Sequence, residues 1–182
     1  GATLLSWLRI PMRDVYPRLL SREAKAGRLE FIREMKETIR LLGNHPSIAA
    51  WVIFNEGWGQ FQTEDMTRIV RRLDPNRLID QASGWFDQGG GDFSSLHNYF
   101  FKLFIRPERE RASVLSEFGG YSYREPGHCA KEKLYGYGIC KNKKDLEKRF
   151  LERWSGVRNL IPQGLSASIY TPVSYTHLRA HE

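Results

Sequence analysis

Apolar residues fall into two patterns along this chain. Between residues 21 and 42, Phe31, Ile32, Met35, Ile39 and Leu42 recur at steps of three and four. That spacing predicts a helix with one buried face. Ser21 is placed to cap it, and Gly43-Asn44 with His45-Pro46 ends it. From 48 to 54 the chain becomes continuously apolar, the pattern of a parallel strand covered on both faces. A second helix is predicted over 63–73, with Met66, Ile69, Val70 and Leu73 on one face and Asp74-Pro75-Asn76 as its stop. Strands are predicted over 78–83, 93–99, 112–117 and 164–170, with a helical turn over 107–111. A last helix is predicted over 144–160, where Leu146, Phe150, Trp154 and Val157 share a face. A Gly-rich loop spans 84–92, and a long loop rich in Gly and Tyr spans 118–142. Strands alternating with helices predict an α/β fold with parallel strands.

Composition narrows the class. The chain has 182 residues, enough for one domain or a piece of a larger one. It is 41% hydrophobic and 27% charged, so a globular protein is expected. No apolar run approaches the roughly 20 residues of a membrane span, and no membrane partner is expected. The net charge of +7 would suit a polyanion. The basic residues are scattered, however, and the densest run, Lys141 to Lys148, also holds Asp145 and Glu147. Without a compact basic stripe or a recognised motif, no nucleic-acid partner is expected.

Other signals are weaker. Cys129 and Cys140 fit no CxxC spacing, and His128 beside Cys129 is slender evidence for a metal, so a reduced pair is expected. Gly89-Gly90-Gly91 lacks the Lys-Ser/Thr of a phosphate loop, so no nucleotide and no other cofactor is expected. Residues 1–20, with Trp7, Pro11 and Pro17, fit no element. The tail 173–182, VSYTHLRAHE, shares no hydrophobic period with the rest and looks like a translated sequencing adapter. Its His177 and His181 have a metal-site spacing, but the tail is set aside and no metal site is expected. Residues 1–172 are read as one partial domain. Residue 1 is Gly and no signal peptide is visible, so an internal piece of a longer protein is expected. Oligomeric state and location are left open, bacterial cytoplasm and periplasm both fitting.

The chemistry lies where apolar strands meet acids. WVIFNE ends at Glu56 and SVLSE at Glu117. Side chains at the C-terminal strand ends of an eight-stranded barrel point into one site. Two carboxylates there can serve glycoside hydrolysis, one as a protonated donor and one ionised. Separations of about 5–5.5 Å give retention and about 6.5–9.5 Å inversion. A lone Glu after an apolar strand more often simply meets solvent, so the pair with its neighbours carries the argument.

Those neighbours resemble a family. NHPSIAAWVIFNEGWGQF is similar to the acid/base segment of glycoside hydrolase family 2, the β-galactosidases and β-glucuronidases. DPNRLIDQASGW, SSLHNYF, VLSEFGGY and QGLSASIYT follow in that family's order, over roughly residues 21–171. The resemblance implies an incomplete (β/α)8 TIM barrel, roughly its last five strand–helix units. It also implies a retaining β-glycosidase acting on a terminal β-linked sugar. Matched position by position, Glu56 is the acid/base, Glu117 the nucleophile and Asn55 the amide that holds the sugar 2-hydroxyl. Tyr99 matches a tyrosine that hydrogen-bonds the nucleophile. His97, two residues back on the same strand face, is a candidate sugar contact. Trp58 and Trp85 follow strand ends and are candidates to stack on pyranose rings, with core or rim packing the alternative for each. The mechanism asks for a raised pKa at Glu56 and an ionised Glu117. A carbohydrate-binding barrel without catalysis stays open as a second reading.

Overall fold

The computed structural model describes residues 12–16, 22–127, 134 and 136–171. The readings for Ser21, for Trp7, Pro11 and Pro17, for His128 and Cys129, and for the 173–182 tail with His177 and His181 lie outside these residues. The helices described are α1 (Lys25–Leu42), α2 (Thr63–Leu73) and α3 (Lys143–Arg158). The strands are β1 (Ala50–Asn55), β2 (Leu78–Ser83), β3 (Phe93–Asn98), β4 (Ala112–Gly119), β5 (Tyr121–Ser122), β6 (Gly138–Ile139) and β7 (Leu165–Thr171). β1 and β2 pair in parallel, from Ala50 opposite Leu78 to Asn55 opposite Ser83. Another sheet has the order β3-β4-β7, and β5 and β6 make a short parallel pair. Parallel strands alternating with helices make this an α/β protein. No described helix is long and apolar enough to cross a membrane. The chain divides into two compact units, Gly1–Leu96 with Pro107–Ser113, and His97–Arg106 with Val114–Glu182.

In the first unit, α1 and α2 cover β1 and β2 with the faces that the periodicity predicts. Ile39, Val70 and Ile79 form one buried cluster, and Met35, Trp51, Ile53 and Leu73 pack against it. Phe54, Phe61 and Met66 form another, flanked by Phe31, Ile32 and Ile69. Phe31 stacks on Phe54 at 5.1 Å, and Phe61 meets both rings edge-on. Burying one such ring contributes about 1.5–3 kcal/mol.

Several element boundaries differ from expectation, and side chains explain most of them. α1 starts at Lys25 behind Ala24, which makes no side-chain cap, so the start expected near Ser21 is too early. Arg28 instead ties down the carbonyls of Arg22 and Glu23, at 2.9 and 2.5 Å. β1 starts at Ala50 because Arg77 takes the carbonyls of Ile48 and His45, each at 2.8 Å. β3 stops before Tyr99 because the Asn98 side chain folds the next turn, accepting from Phe101 N and donating to Lys102 O, each at 3.0 Å. No helical turn forms over 107–111, which only bends. Glu108 and Arg111 are drawn there into an ion-pair network with Asp87. β4 runs two residues past Glu117, and β5–β6 lie inside what was read as a plain loop. α3 ends at Arg158, and a 3-10 turn, Ile161–Gln163, precedes β7.

β1 is covered unevenly rather than fully on both faces. Val52 is 58% exposed, whereas Phe54, two residues on and on the same face, is buried against Phe31, Phe61 and Met66.

In the second unit, Asn142 caps α3 by accepting from Asp145 N at 2.9 Å. The apolar face of α3 is only part buried. Val157 is buried, while Phe150 and Trp154 stack on each other and stay largely exposed. Phe150 meets Tyr170 of β7 edge-on at 5.0 Å. Cys140 is a free, buried thiol.

Candidate active site

In the first unit the predicted residues gather at the C-terminal ends of β1 and β2. Asn55, the last residue of β1, is exposed. Glu56 and Gly57 follow with φ of 54° and 70°. The Asn55 carbonyl accepts from Trp58 N at 3.2 Å, closing a four-residue turn. Positive φ at both central positions is the type I′ pattern, which Gly, Asn and Asp dominate. Glu56 therefore sits in a backbone conformation costly for a glutamate. Glycine at 57 is required for space as well, since a Cβ there would lie 2.2 Å from the Phe86 ring.

The turn is anchored to the neighbouring strand. The Ser83 carbonyl accepts from both Glu56 N (2.9 Å) and Trp85 N (3.2 Å). Trp85 is half-buried, and Trp58 is 67% exposed. Gln60, completely buried, donates to the Phe86 carbonyl at 2.9 Å and to Asp14 Oδ2 at 3.1 Å. Asp14, also buried, accepts from Thr63 N (3.0 Å) and the Thr63 hydroxyl at the start of α2. Gln60 and Asp14 escape a sequence reading. A glutamine between two aromatics and an aspartate in an unplaced segment carry no local signal.

The loop bearing Trp85 has its own clamp. Arg111 is bidentate to Asp87, both contacts 2.7 Å, and bidentate to Glu108, both 2.8 Å. It also reaches the carbonyls of Gly90 and Phe93 at 3.2 Å. Burial is the largest single influence on Asp87 and pushes its pKa up. The hydrogen bonds from Arg111, Gly89 N and Gln81, with the Arg111 charge, outweigh it and hold Asp87 below the ordinary value. Glu108 is lowered, chiefly by its hydrogen bond from Arg111.

In the second unit, β4 presents Glu117 between buried Ser116 and Phe118, with the carboxylate side chain 28% exposed. The Tyr99 hydroxyl donates to Glu117 Oε2. His97 Nδ1 lies 3.3 Å from the same oxygen, its side chain 1% exposed. His97, the candidate sugar contact, thus lies beside the carboxylate. The Thr171 Oγ1 at the end of β7 is 3.4 Å from the Tyr99 hydroxyl. Burial first, and then the hydrogen bond to Glu117, push the Tyr99 pKa well above the ordinary tyrosine range. The phenol thus stays protonated as a donor.

The Gly119-Gly120 pair makes room for these rings. A Cβ at Gly119 would lie 2.3 Å from the Tyr170 ring, and one at Gly120 would lie 2.5 Å from Tyr137. Both glycines have positive φ. Tyr137 stacks on Tyr99 at 3.8 Å, and its N–H is held by the Gly120 carbonyl at 2.9 Å. Tyr137 is a further position that a sequence reading does not reach. Its link to Tyr99 depends on β5–β6 pairing across a long loop.

The molecule is thus built of parallel strands alternating with helices, with carboxylates carried at or near the strand ends. In barrel-type α/β domains, functional side chains are carried at the same strand ends. Compared with known families, the chain matches the one described as Glycosyl hydrolases family 2, TIM barrel domain, over residues 17–113, more than half its length. It belongs to that family. The matched range contains Asn55, Glu56, Trp58, Trp85, His97 and Tyr99 and ends four residues before Glu117. A comparison with curated proteins gave no match.

Proposed function

We propose that this chain is part of the catalytic barrel, roughly the last five strand–helix units, of a retaining β-glycosidase acting on terminal β-linked sugars. Glu56 is the general acid/base and Glu117 the nucleophile. The observation that carries the reading is the setting of Glu117. One carboxylate oxygen receives the hydroxyl of Tyr99, whose high pKa keeps it a donor, with His97 beside it. These contacts hold the carboxylate in one orientation, as attack on a single carbon requires.

The reaction follows from these roles. Glu117 attacks the anomeric carbon while Glu56 gives its proton to the leaving oxygen, so the glycosidic C–O bond breaks as the ester bond forms. Glu56, now ionised, takes a proton from water, which attacks the same carbon and releases Glu117. Asn55, exposed beside Glu56, is offered to the sugar 2-hydroxyl. Trp58 and Trp85 offer ring faces to the pyranose. The left-handed backbone at Glu56 supports a functional role, because such strain is retained where a side chain must be aimed.

The test is labelling with 2-deoxy-2-fluoro-β-glycosides that carry a dinitrophenolate leaving group, followed by peptide mapping. The expected result is one sugar adduct, on Glu117. An adduct on another residue overturns the nucleophile assignment. Sugar binding without an adduct or turnover favours a barrel that only binds carbohydrate.

A further inference from the structure

We propose that Arg153, on α3, is a positioning residue: through the carbonyl of Tyr99 it sets the Tyr99 hydroxyl against Glu117. Its meaning for catalysis rests on reading Glu117 as the nucleophile, whereas its structural content does not. Tyr99 is the first residue beyond β3, so the sheet ladder does not fix it. Contacts to its backbone, ring and hydroxyl do so instead. Arg153 Nη2 donates to the Tyr99 carbonyl at 2.7 Å. The Tyr137 ring lies flat against the Tyr99 ring at 3.8 Å. The hydroxyl itself is given to Glu117. Backbone, ring and hydroxyl are thus held from α3, from the residue before β6 and from β4.

Arg153 is suited to the backbone part. Its Nη1 donates to the Phe101 carbonyl at 2.8 Å, so the guanidinium brackets Phe100 by gripping the residues on either side. Its Nε donates to the Tyr121 hydroxyl in β5 at 2.9 Å, which orients the fork. Within the same turn, Asn98 closes the chain onto Lys102. A guanidinium offers five donors in a fixed, planar fork wide enough to meet these three separate acceptors at once. A lysine would hold one or two of them. A displacement of the carbonyl by a fraction of an ångström moves a phenol at the far end of a rigid ring by a comparable amount.

A plain docking role for Arg153 would tie α3 to the turn without setting Tyr99, so the test reads Tyr99 itself. The 182-residue chain is labelled with tyrosine carrying carbon-13 at Cζ. The Tyr99 resonance is assigned by its loss in Tyr99→Phe, and each form is titrated with alkali. The groups facing the phenol are Glu117 from β4, His97 from β3, Tyr137 and Thr171. In the parent, Tyr99 should resist ionisation beyond the ordinary value of about 10. In Arg153→Ala its resonance should move and its titration should fall back toward about 10. Arg153→Lys should fall between. Val157→Ala, which removes a buried side chain of the same helix, should lower thermal stability and leave the Tyr99 titration alone. If Arg153→Ala fails to fold, Arg153→Lys and Arg153→Gln give the same readout.

A folded Arg153 variant whose Tyr99 resonance and titration match the parent overturns the proposal. So does a parent whose Tyr99 titrates as an ordinary tyrosine. A shifted Tyr99 in a chain that neither labels nor hydrolyses any β-glycoside sustains the positioning role and rejects the glycosidase reading.

Discussion

Glu56 and Tyr99 are each held in a specific local setting. Glu56 occupies a left-handed conformation at φ 54°, where a Cβ costs about 1–2 kcal/mol. Glycine escapes that cost but loses more entropy on folding. Comparing Glu56→Gly with Glu56→Ala isolates the backbone, since both remove the carboxylate. Glu56→Gly should be the more stable by about 1 kcal/mol, read by thermal melting, and both should lose hydrolysis by about 10²–10⁴-fold. Equal melting of the two would mean that the turn relaxes without strain. Tyr99→Phe keeps the ring that stacks on Tyr137 and removes only the donor to Glu117. A hydrogen bond to a charged group contributes about 1.5–3 kcal/mol, so melting should fall, and on the proposed nucleophile role kcat/KM should fall roughly 10- to 100-fold. An unchanged kcat/KM would remove Tyr99 from the machinery.

At the scale of elements, the loop between β2 and β3 depends on Arg111. Asp87 and Glu108 both have folded pKa values below their ordinary ones. The unfolded chain therefore binds more protons between the two sets of values, and stability rises with pH across that window. The contribution is complete above the unfolded values of about 4 and is lost as pH falls through the lower folded values. Arg111→Met should flatten this acid dependence in chemical denaturation between about pH 5 and 2, and should loosen the loop that carries Trp85. The loss at neutral pH should be about 1–3 kcal/mol. That lies below the figure for fully buried pairs, because both carboxylates are more than a third exposed. An unaltered acid profile would show that the network is ornamental.

The same elements separate what the sequence announces from what it conceals. α2 and β2 stand where the pattern predicts, because periodicity and the Asp74-Pro75 stop are local signals. Asp74 does more than stop a helix, since it accepts from the Trp51 indole at 2.9 Å. The starts of α1 and β1 and the end of β3 depart from what the pattern predicts. Arg28, Arg77 and Asn98 set them by binding backbone carbonyls and amides that no periodic pattern encodes. For the site, Tyr99 beside Glu117 was legible through resemblance. Arg153 and Tyr137 were not, because each meets Tyr99 only after a long loop has folded.

At the scale of the whole molecule, the sheets leave apolar surface uncovered. Among the described residues β7 is the terminal strand of its sheet, and its sequence, LSASIYT, carries neither charge nor proline. Natural edge strands are usually blunted by such residues. Ile169 in β7 is 59% exposed, and Leu151 and Trp154 on α3 are 53% and 43% exposed. An uncharged edge beside apolar side chains favours pairing between copies, while the net charge of +7 opposes it. Only the charge repulsion is screened by salt. Raising ionic strength from about 0.01 to 0.15 M shortens the screening length from roughly 30 to 8 Å and weakens the repulsion, leaving the apolar term in place. Sedimentation velocity should therefore show association that grows with concentration and with salt. Ile169→Lys, which sets a charge on the edge, should reverse it while leaving the Tyr99 resonance unmoved. A chain that stays monomeric at high concentration and high salt would mean that this edge is already protected, and that its exposed apolar residues are no liability.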